Sequence, residues 1–381
     1  METIVERKTA RPEVVAIYCP LWHNYDHASS WKGEGWCEWE LVRTAIPRFP
    51  GHYQPLRPSW GCFDESDPRW SAREIDLAAD HGVDVFLFDW YWYSGVRIME
   101  EALERGFLRA RNRDRVKFAI MWANHDWSDY VPAPFGKPWN MWLPSRHSEP
   151  DLERVIDYSI KHYFRRPNYW RVEGRLFYSV FVPTKLVQEL GGPDATRQLF
   201  RKIDRRLEDA GLPPMHWNAM VNSPDAVAPL EEAGFRSTTT YNIISAGKPE
   251  NGTERYEDLM EAHRVHWRRM SSTGLPYLPV VTMGWDVTPR CEKEIAWPFP
   301  PSPRTGRHDY PYISMTVGNK PELFEGLCKD AARHVWEDPA GPFAVFLNAW
   351  NEWTEGSYLL PEERTGTAYL DAILRAFGMR A

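Results

Sequence analysis

The most informative segment of this sequence is Phe343-Ala-Val-Phe-Leu-Asn-Ala-Trp-Asn-Glu-Trp-Thr-Glu-Gly-Ser-Tyr-Leu-Leu-Pro361. Residues 343–349 are almost all apolar, which is typical of a buried strand. Carboxylates, amides and tryptophans follow at once, a composition typical of a binding or catalytic loop at the C-terminal end of a strand. We therefore expect the segment to contribute both to the core and to a functional site.

Glu352 and Glu355 are the strongest chemical signal in this loop. If the strand ends at Glu352 and a turn or helix follows, both carboxylates lie on one side, with Cβ atoms roughly 5–6 Å apart. Two like charges in a partly dry pocket cannot both ionise at their ordinary pKa values, so one becomes an acid while the other stays a carboxylate. The alternative is a helix start with solvated glutamates, which the flanking Trp350 and Trp353 disfavour. We predict that Glu352 and Glu355 form a catalytic pair.

Length and composition indicate a globular protein with a large core. The chain has 381 residues, of which 43% are apolar, enough for one large domain or two ordinary ones. The formal net charge is −7, and no run of lysines and arginines offsets it. This charge would repel a phosphate backbone, so we expect no nucleic-acid partner.

The N-terminal residues and the cysteines bear on the compartment. Residues 1–12 form a polar leader without the apolar stretch of a signal peptide, and nowhere do about eighteen apolar residues run together. We therefore expect a cytoplasmic protein that does not insert into a membrane. The cysteines are odd in number and never spaced Cys-x-x-Cys, which argues against a disulfide framework and a zinc ribbon. They are Cys19, Cys37, Cys62, Cys291 and Cys328.

Apolar runs of strand length recur along the chain, and a helical pattern follows each of them. Their number and the total length favour a single (β/α)8 TIM barrel with long βα loops, forming one catalytic domain over residues 13–381. A doubly wound open sheet is the alternative, but the Gly-rich nucleotide turn of such sheets is missing. The predicted strands cover residues 14–18, 83–88, 116–121, 176–182, 215–221, 235–242, 277–283 and 343–349. The main predicted helices cover residues 68–81, 97–111, 151–165, 195–210, 225–233, 256–270, 322–336 and 367–377.

Polar and aromatic residues cluster just past the predicted strand ends. In a barrel these loops converge on one face, where barrel enzymes place their chemistry. The chain contains 20 Trp, 17 Tyr and 17 Phe, and flat rings beside Asp, Asn and Glu complement the apolar faces and hydroxyl groups of sugars. For each aromatic residue taken singly, core packing remains the alternative. The residues expected to bind substrate are Tyr18, His23, Asp89, Tyr91, Trp92, Asn124, His125, Trp127, Asn222, Tyr241, Trp285 and Asp286.

A metal site or a nucleophilic side chain would be the rival chemistry. His23, His27, His52 and His125 fall near predicted loops, but no His-x-His or His-Glu-x-x-His spacing occurs. The chain also lacks a Gly-x-Ser-x-Gly elbow, and no cysteine has an evident partner. We therefore expect neither a metal nor another cofactor.

Several short motifs follow one another in a fixed order from about Tyr18 to the last helix. They are Gly35-Trp-Cys-Glu-Trp39, Gly51-His-Tyr-Gln-Pro55, Trp122-Ala-Asn124, Gly284-Trp-Asp-Val-Thr-Pro-Arg290 and Asn348-Ala-Trp-Asn-Glu-Trp-Thr-Glu-Gly-Ser-Tyr358. In this combination the chain resembles the glycoside hydrolase family 99-like proteins, often called WbsX-type. The combination is far more specific than any single motif.

The resemblance implies a (β/α)8 barrel and retaining endo-α-mannosidase-type chemistry without a metal. In the catalytic members, the first glutamate of Asn-Glu-Trp-x-Glu-Gly is a base that acts on the sugar's own 2-hydroxyl and gives a 1,2-anhydro intermediate. The second glutamate is the general acid/base. Carried over to this chain, Glu352 is the base and Glu355 the acid. The matching motifs also add Glu38, Trp39, Asn351, Trp353 and Tyr358 to the expected substrate-binding residues.

Two positions depart from the family pattern. WbsX-type sequences tend to have Trp-Ala-Asn-Glu where this chain has His125, and Asp89 replaces a less acidic residue, so the sugar need not be mannose. We predict a retaining, metal-independent glycoside hydrolase acting on an α-linked, mannose-like oligosaccharide or polysaccharide. One alternative is a glycosyltransferase or transglycosylase of O-antigen-type polysaccharide assembly, although no basic or Gly-rich phosphate cradle is present. The other is a non-catalytic glycan-binding barrel.

Overall fold

The computed structural model describes residues 11–338 and 341–379. The predicted leader therefore lies almost entirely outside the described residues, and its boundary with the domain stays a prediction. Among the described residues, no helix combines the length and the apolar character needed to span a membrane.

Nine strand segments form a mostly parallel, nearly closed barrel, which confirms the predicted fold class. The strands are β1 Glu13–Tyr18, β2 Val85–Tyr93, β3 Lys117–Trp122, β4 Arg175–Val180, β5 Met215–Met220, β6 Ser237–Thr239, β7 in two parts, Tyr277–Leu278 and Val280–Thr282, and β8 Ala344–Asn348. The first part of β7 pairs with β6 and the second part with β8, so this stretch connects the two ends of the sheet. Pro279 separates the two parts because proline has no N–H to donate to a neighbouring strand.

α-Helices lie between most successive strands, as the sequence pattern predicts, and the connection from β2 to β3 is the exception. The helix after the first long loop begins after Asp67, whose carboxylate accepts a hydrogen bond from the backbone N–H of Arg69 at 2.9 Å. Asp67 is therefore the N-cap of this helix, whose first residue is Pro68. The α-helices are α1 Asp26–Lys32, α2 Trp39–Thr44, α3 Pro68–Asp80, α4 Glu149–Ser159, α5 Pro183–Glu189, α6 Pro193–Asp209, α7 Val227–Ala233, α8 Tyr256–Ser271, α9 Pro321–Glu337 and α10 Ala368–Phe377.

Two helical predictions need correction. The segment after β2, predicted as a helix over 97–111, forms the antiparallel strand Val96–Ile98 and then a wide π-helical turn, Ala102–Gly106. At Gly106 the chain passes so close to Glu65 that a Cβ atom would lie 2.2 Å from the Glu65 carbonyl oxygen. The helix predicted over 151–165 continues past Ser159 as a second π-helical turn, residues 160–164.

The barrel strands are buried on both faces because side chains fill the interior and helices cover the outside. In β1, for example, Val14 to Ile17 have no exposed surface. Much of the unusual aromatic content belongs to this core and not to a surface above it. The tryptophans with less than 2% exposed surface are Trp22, Trp90, Trp122, Trp170, Trp217, Trp267, Trp350 and Trp353.

Candidate active site

The two glutamates lie on a short hairpin that directly follows β8. Residues 351–352 pair antiparallel with residues 357–358, and a single 3-10 turn, Trp353–Glu355, joins them. This turn brings Glu352 and Glu355 within reach of one guanidinium group, that of Arg290. Both carboxylates therefore face the same side of the hairpin, as the three-residue spacing predicts.

Two contacts fix this hairpin to the barrel. The side-chain amide of Asn351 accepts from the backbone N–H of Cys19 at 2.7 Å and donates to the Cys19 carbonyl at 2.8 Å. Gly356 has a φ of 63°, and a Cβ atom there would lie 2.7 Å from the backbone nitrogen of Asp286. Only glycine combines this backbone conformation with so close an approach. The hairpin is thus fixed against β1 and against the loop after β7.

Arg290 is the central cation of the site. It ends the 3-10 turn Thr288–Arg290 and is 3% exposed. One terminal nitrogen donates to Glu355, and the other donates to Glu352 at 3.3 Å and to Glu38 at 3.2 Å. A buried cation that binds several carboxylates reduces their mutual repulsion, which no uncharged residue could do. Sequence reasoning missed its role, although it ends one of the motifs quoted above.

Two tyrosines complete the hydrogen bonds of the pair. The Tyr310 hydroxyl donates to Glu355 at 2.8 Å. The Tyr241 hydroxyl lies 3.0 Å from an oxygen of Glu352 and 2.9 Å from an oxygen of Asp89. Tyr310 belongs to a long proline-rich loop whose sequence gives no sign of this position.

The two carboxyl groups have different environments. Burial raises the pKa of Glu355 to about 7, the negative charge of Glu352 adds to this shift, and Arg290 opposes it. Burial also raises the pKa of Glu352, while Arg290 offsets part of that shift. A carboxyl with a pKa near neutrality can hold and release a proton at working pH. Glu355 is therefore suited to act as the acid, and Glu352, with donors on both of its oxygens, to act as the base.

The pair opens into a cavity of about 510 Å³ at the C-terminal ends of the strands. Besides the two glutamates, six of the residues predicted to bind substrate line it: Asp89, Tyr91, His125, Asn222, Tyr241 and Trp285. Trp139 lies at its rim and is 40% exposed. Sequence reasoning did not include this residue among the candidates, nor the lining residues Cys19, Tyr130, Phe181, Arg290 and Tyr310.

Other predicted residues lie behind the cavity wall and hold it in place. Tyr18 donates to the buried carboxyl of Glu74 at 3.0 Å. His23 lies between Glu65 at 2.9 Å and Glu101 at 3.2 Å. Burial lowers the pKa of His23, but hydrogen bonds to Glu101 and Glu65 outweigh this effect and raise it to about 9. His23 is therefore a buried cation in a carboxylate cluster, outside the lining of the cavity.

Glu38, Trp39 and Asn124 likewise support their neighbours. Glu38 accepts from Thr354 at 2.5 Å as well as from Arg290, so it supports the turn that carries Glu355. The indole of Trp39 donates to the Phe63 carbonyl at 2.8 Å. Asn124 accepts from the backbone N–H of Val182 at 2.6 Å and donates to its carbonyl at 3.0 Å.

The remaining predicted residues are divided between the core and a second cavity. Trp92 donates to Asp151 at 3.1 Å, and Trp127 packs edge-on against Tyr91 with 2% of its surface exposed. Trp353 is fully buried and stacks on Tyr358, with ring centroids 4.2 Å apart. The second cavity has a volume of about 370 Å³ and is lined in part by Tyr358, Asp286 and Trp285, the last of which also lines the first cavity.

Three potential metal-binding atoms come together beside Glu352. The sulfur of Cys19 and one carboxylate oxygen each of Asp89 and Glu352 lie within 4.8 Å of one another. Arg290 already provides Glu352 with a positive charge, and Tyr241 binds both carboxylates. We interpret the three groups as part of this hydrogen-bonding network. That no metal is required stays a prediction, and chelation tests it.

Curated sequences and solved structures both include proteins that resemble this chain. The uncharacterized protein WxcX of Xanthomonas campestris pv. campestris, strain B100, is 27% identical over 98% of this chain, and its counterpart in strain ATCC 33913 is also 27% identical. The chain spans about half, 51%, of the length of these curated relatives.

Solved structures share the fold at low sequence identity. The GH99 endo-alpha-mannosidase from Bacteroides thetaiotaomicron is 13% identical and superimposes with a TM-score of 0.56, covering 95% of this chain and 96% of its own. A glycoside hydrolase-like protein is 15% identical with a TM-score of 0.59, covering 97% and 94%. These similarities confirm the barrel fold.

A family profile described as Glycosyltransferase WbsX matches residues 14–373, which is nearly the whole barrel. This chain therefore belongs to the WbsX family, as the sequence motifs predicted.

Proposed function

We propose that this protein is a retaining glycoside hydrolase that cleaves an α-linked, mannose-like glycan without a metal. One observation is central to this proposal: a single buried guanidinium binds two neighbouring glutamates at the end of a sugar-sized cavity. One of the two glutamates has its pKa raised to about 7. Two carboxyl groups with different affinities for a proton are what cleavage of a glycosidic bond requires.

In the proposed reaction the two glutamates have separate roles. Glu352 removes the proton of the sugar's 2-hydroxyl, and that oxygen attacks the anomeric carbon. Glu355 donates its proton to the glycosidic oxygen as the bond breaks, which leaves a 1,2-anhydro sugar. Glu355 then takes a proton from water, the water oxygen attacks the anomeric carbon, and Glu352 returns its proton to the 2-oxygen. Both groups finish in their starting state, and two displacements give retention.

The lining of the cavity supports a neutral sugar as substrate. Aromatic rings, including Tyr91, Trp139 and Trp285, occur beside hydrogen-bonding groups such as Asn222. This mixture suits the apolar faces and hydroxyl groups of a pyranose. An anionic substrate would require free cations, but Arg290, the one lysine or arginine among the described lining residues, already binds carboxylates.

A glycosyltransferase is the second candidate because the family description carries that name. A nucleotide-sugar donor needs cationic groups or helix N-termini for its diphosphate. The cavity supplies only Arg290 among the described residues, and this residue is occupied. A transglycosylase that uses the same glutamates and a sugar acceptor in place of water remains compatible with the geometry.

The experiment is a panel of aryl α-glycosides, α-glycosyl fluorides and α-linked oligosaccharides, each incubated with and without nucleotide sugars and a free-sugar acceptor. We expect release of reducing sugar without any nucleotide sugar, and loss of this activity in Glu352→Gln. The matched control is Glu74→Gln, because Glu74 is an equally buried carboxyl with its pKa raised to about 8 that lies outside the cavity. Turnover only in the presence of a nucleotide sugar would show that the protein is a glycosyltransferase and not a hydrolase. Sugar binding without turnover, unchanged in Glu352→Gln, would indicate a binding protein.

A further inference from the structure

The Tyr241 hydroxyl lies between two carboxyl groups. Its oxygen is 2.9 Å from Asp89 Oδ2 and 3.0 Å from Glu352 Oε1. A phenol has one proton to donate, and an ionised carboxylate has none. If both carboxyl groups were ionised, one of these short contacts would bring two oxygens together without a proton between them. One of the two carboxyl groups must therefore carry a proton and donate it to the phenol oxygen.

The other contacts decide which group carries that proton. The second oxygen of Glu352 accepts from Arg290 at 3.3 Å, so a negative charge on Glu352 has a cation beside it. The second oxygen of Asp89 is buried without a hydrogen-bond partner, and the residue as a whole is 6% exposed. A buried charge without a partner is far more costly than a neutral acid in the same place. The charge therefore belongs on Glu352 and the proton on Asp89.

We infer that Asp89 is a positioning residue: as a neutral carboxylic acid it donates to Tyr241, which in turn donates to Glu352 and keeps that base ionised and oriented. This inference rests on the proposed role of Glu352 but assigns a new role to Asp89 and Tyr241, which the sequence analysis treated as contacts to the sugar. The proton order is Asp89 Oδ2–H to Tyr241 O, then Tyr241 O–H to Glu352 Oε1. Asp89 and Tyr241 both keep their protons throughout the reaction.

The surrounding charges agree with this order. Burial raises the pKa of Asp89 well above its ordinary value, and the charges of Glu352 and Glu355 raise it further, which together outweigh the lowering by the hydrogen bond with Tyr241. Titratable groups face the network from several elements: Cys19 after β1, Glu38 before α2, Asp89 and Tyr91 on β2, Tyr241 after β6, Arg290 and Tyr310 after β7, and both glutamates after β8. Burial also raises the pKa values of Cys19 and Tyr241 well above their ordinary values, so both stay neutral. Arg290 is the cation of this set, and it contacts Glu352 instead of Asp89.

Infrared spectroscopy tests the inference without a substrate. Protein labelled with carbon-13 in the aspartate side-chain carboxyl should show the carbonyl stretch of a protonated carboxylic acid at neutral pH, and Asp89→Asn should remove that band. The labelling separates aspartates from Glu74 and Glu355, whose own pKa values are raised. The unsubstituted protein alone gives the first result, so the test stands even if the variant fails to fold. Absence of the band from the unsubstituted protein would overturn the inference.

Kinetics of three variants gives a second test. Asparagine can donate to Tyr241 as the neutral acid does, so Asp89→Asn should keep kcat/KM within about 10-fold of the original value. Asp89→Leu and Tyr241→Phe interrupt the series of hydrogen bonds from Asp89 to Glu352. Each should lower kcat/KM by roughly 10- to 100-fold, which corresponds to the free energy of a hydrogen bond to a charged group. Tyr93→Phe is the matched control, because this buried tyrosine on β2 has an unpartnered hydroxyl outside the cavity lining. Equal losses in Asp89→Asn and Asp89→Leu would show that Asp89 works as an ion, against the inference.

The pH profile distinguishes positioning from a merely structural role. Without the donor, the pKa of Glu352 rises, so in Tyr241→Phe the loss of activity towards acid pH should begin at a higher pH. An unshifted acid limb in that variant would contradict the inference. Full activity of Glu352→Gln would instead refute the proposed function, and the infrared band of Asp89 would be unaffected by that outcome.

Discussion

Removing the central cation should weaken the fold as well as the reaction. Arg290 is 3% exposed and binds Glu38, Glu352 and Glu355, so Arg290→Met leaves three buried carboxyl groups without a counter-ion. Deleting one partner of a buried ion pair typically costs about 3–5 kcal/mol. Methionine has a similar length, so the cost reflects mainly the lost charge and hydrogen bonds and not an empty space.

The expected change in melting temperature follows from chain length. For the 381 residues of the chain, an unfolding entropy of about 2.1 cal/mol/K per residue gives about 0.8 kcal/mol/K in total. A loss of about 3–5 kcal/mol should therefore lower the Tm by about 4–6 °C at neutral pH.

The decrease in Tm caused by Arg290→Met should depend on pH in a definite direction. The folded-state pKa of Glu355 is already raised to about 7, so its stability contribution is fully present below its unfolded pKa of about 4.3 and is lost as pH rises towards 7. Without Arg290 the pKa values of Glu352 and Glu355 rise further, because the cation lowers them in the native protein. The difference in Tm between the native chain and Arg290→Met should therefore be small near pH 5 and grow as pH rises to about 8.

Calorimetric melting curves recorded across this pH range give the Tm of the native chain and of Arg290→Met. The matched control is Arg206→Met, since Arg206 binds Asp157 at the surface with 42% of its side chain exposed. Losing such a pair should cost at most about 1 kcal/mol. If Arg290→Met has the same Tm as the native chain at every pH, the guanidinium is not the counter-charge of the two glutamates. The separate roles of Glu352 and Glu355 would then have no electrostatic explanation.

Further predictions concern the metal, the acid and the rim of the cavity. Exhaustive chelation with EDTA should leave turnover unchanged because the two carboxyl groups suffice for the chemistry; zinc- or calcium-dependent recovery of a lost activity would contradict this. Glu355→Gln should abolish cleavage of oligosaccharides but retain cleavage of glycosyl fluorides, whose leaving group needs little protonation. Glu352→Gln should abolish cleavage of both substrates. If the two variants lose the same activity towards fluorides, Glu355 is not the acid. Trp139→Ala should raise KM for oligosaccharides and leave the Tm unchanged, because this rim residue is 40% exposed; a fall in Tm at constant KM would make it a structural residue.

The fold could be predicted from sequence because its signal is local. Most barrel strands are apolar runs buried on both faces, and runs of this kind stand out between polar loops. The strand β6, Ser237–Thr239, is a buried but polar exception. The π-helical turns after Ile98 and Ser159 were not predictable, because they depend on close packing such as that of Gly106 against Glu65. Tertiary contacts of this type leave no periodic pattern in the sequence.

The site was predictable only in part, for a similar reason. The spacing of Glu352 and Glu355 is a short-range property, and their positions on one hairpin follow from it. Tyr18 and Cys19 show the limit: successive residues at a strand end point to opposite sides, so Cys19 lines the cavity while Tyr18 turns back to Glu74. Arg290 lies 62 residues before Glu352 in the chain, and no local pattern connects the two.

The central claim is that Glu352 and Glu355 cleave a glycosidic bond with retention. The most direct measurement is the anomeric configuration of the first product, read by proton NMR in the first minutes after adding an α-glycosyl fluoride that the enzyme cleaves. We expect the α-anomer to appear first and to mutarotate later, because two carboxyl groups that bind one guanidinium are a close pair. Initial release of the β-anomer would contradict the account, because inverting pairs lie about 6.5–9.5 Å apart to admit a water molecule.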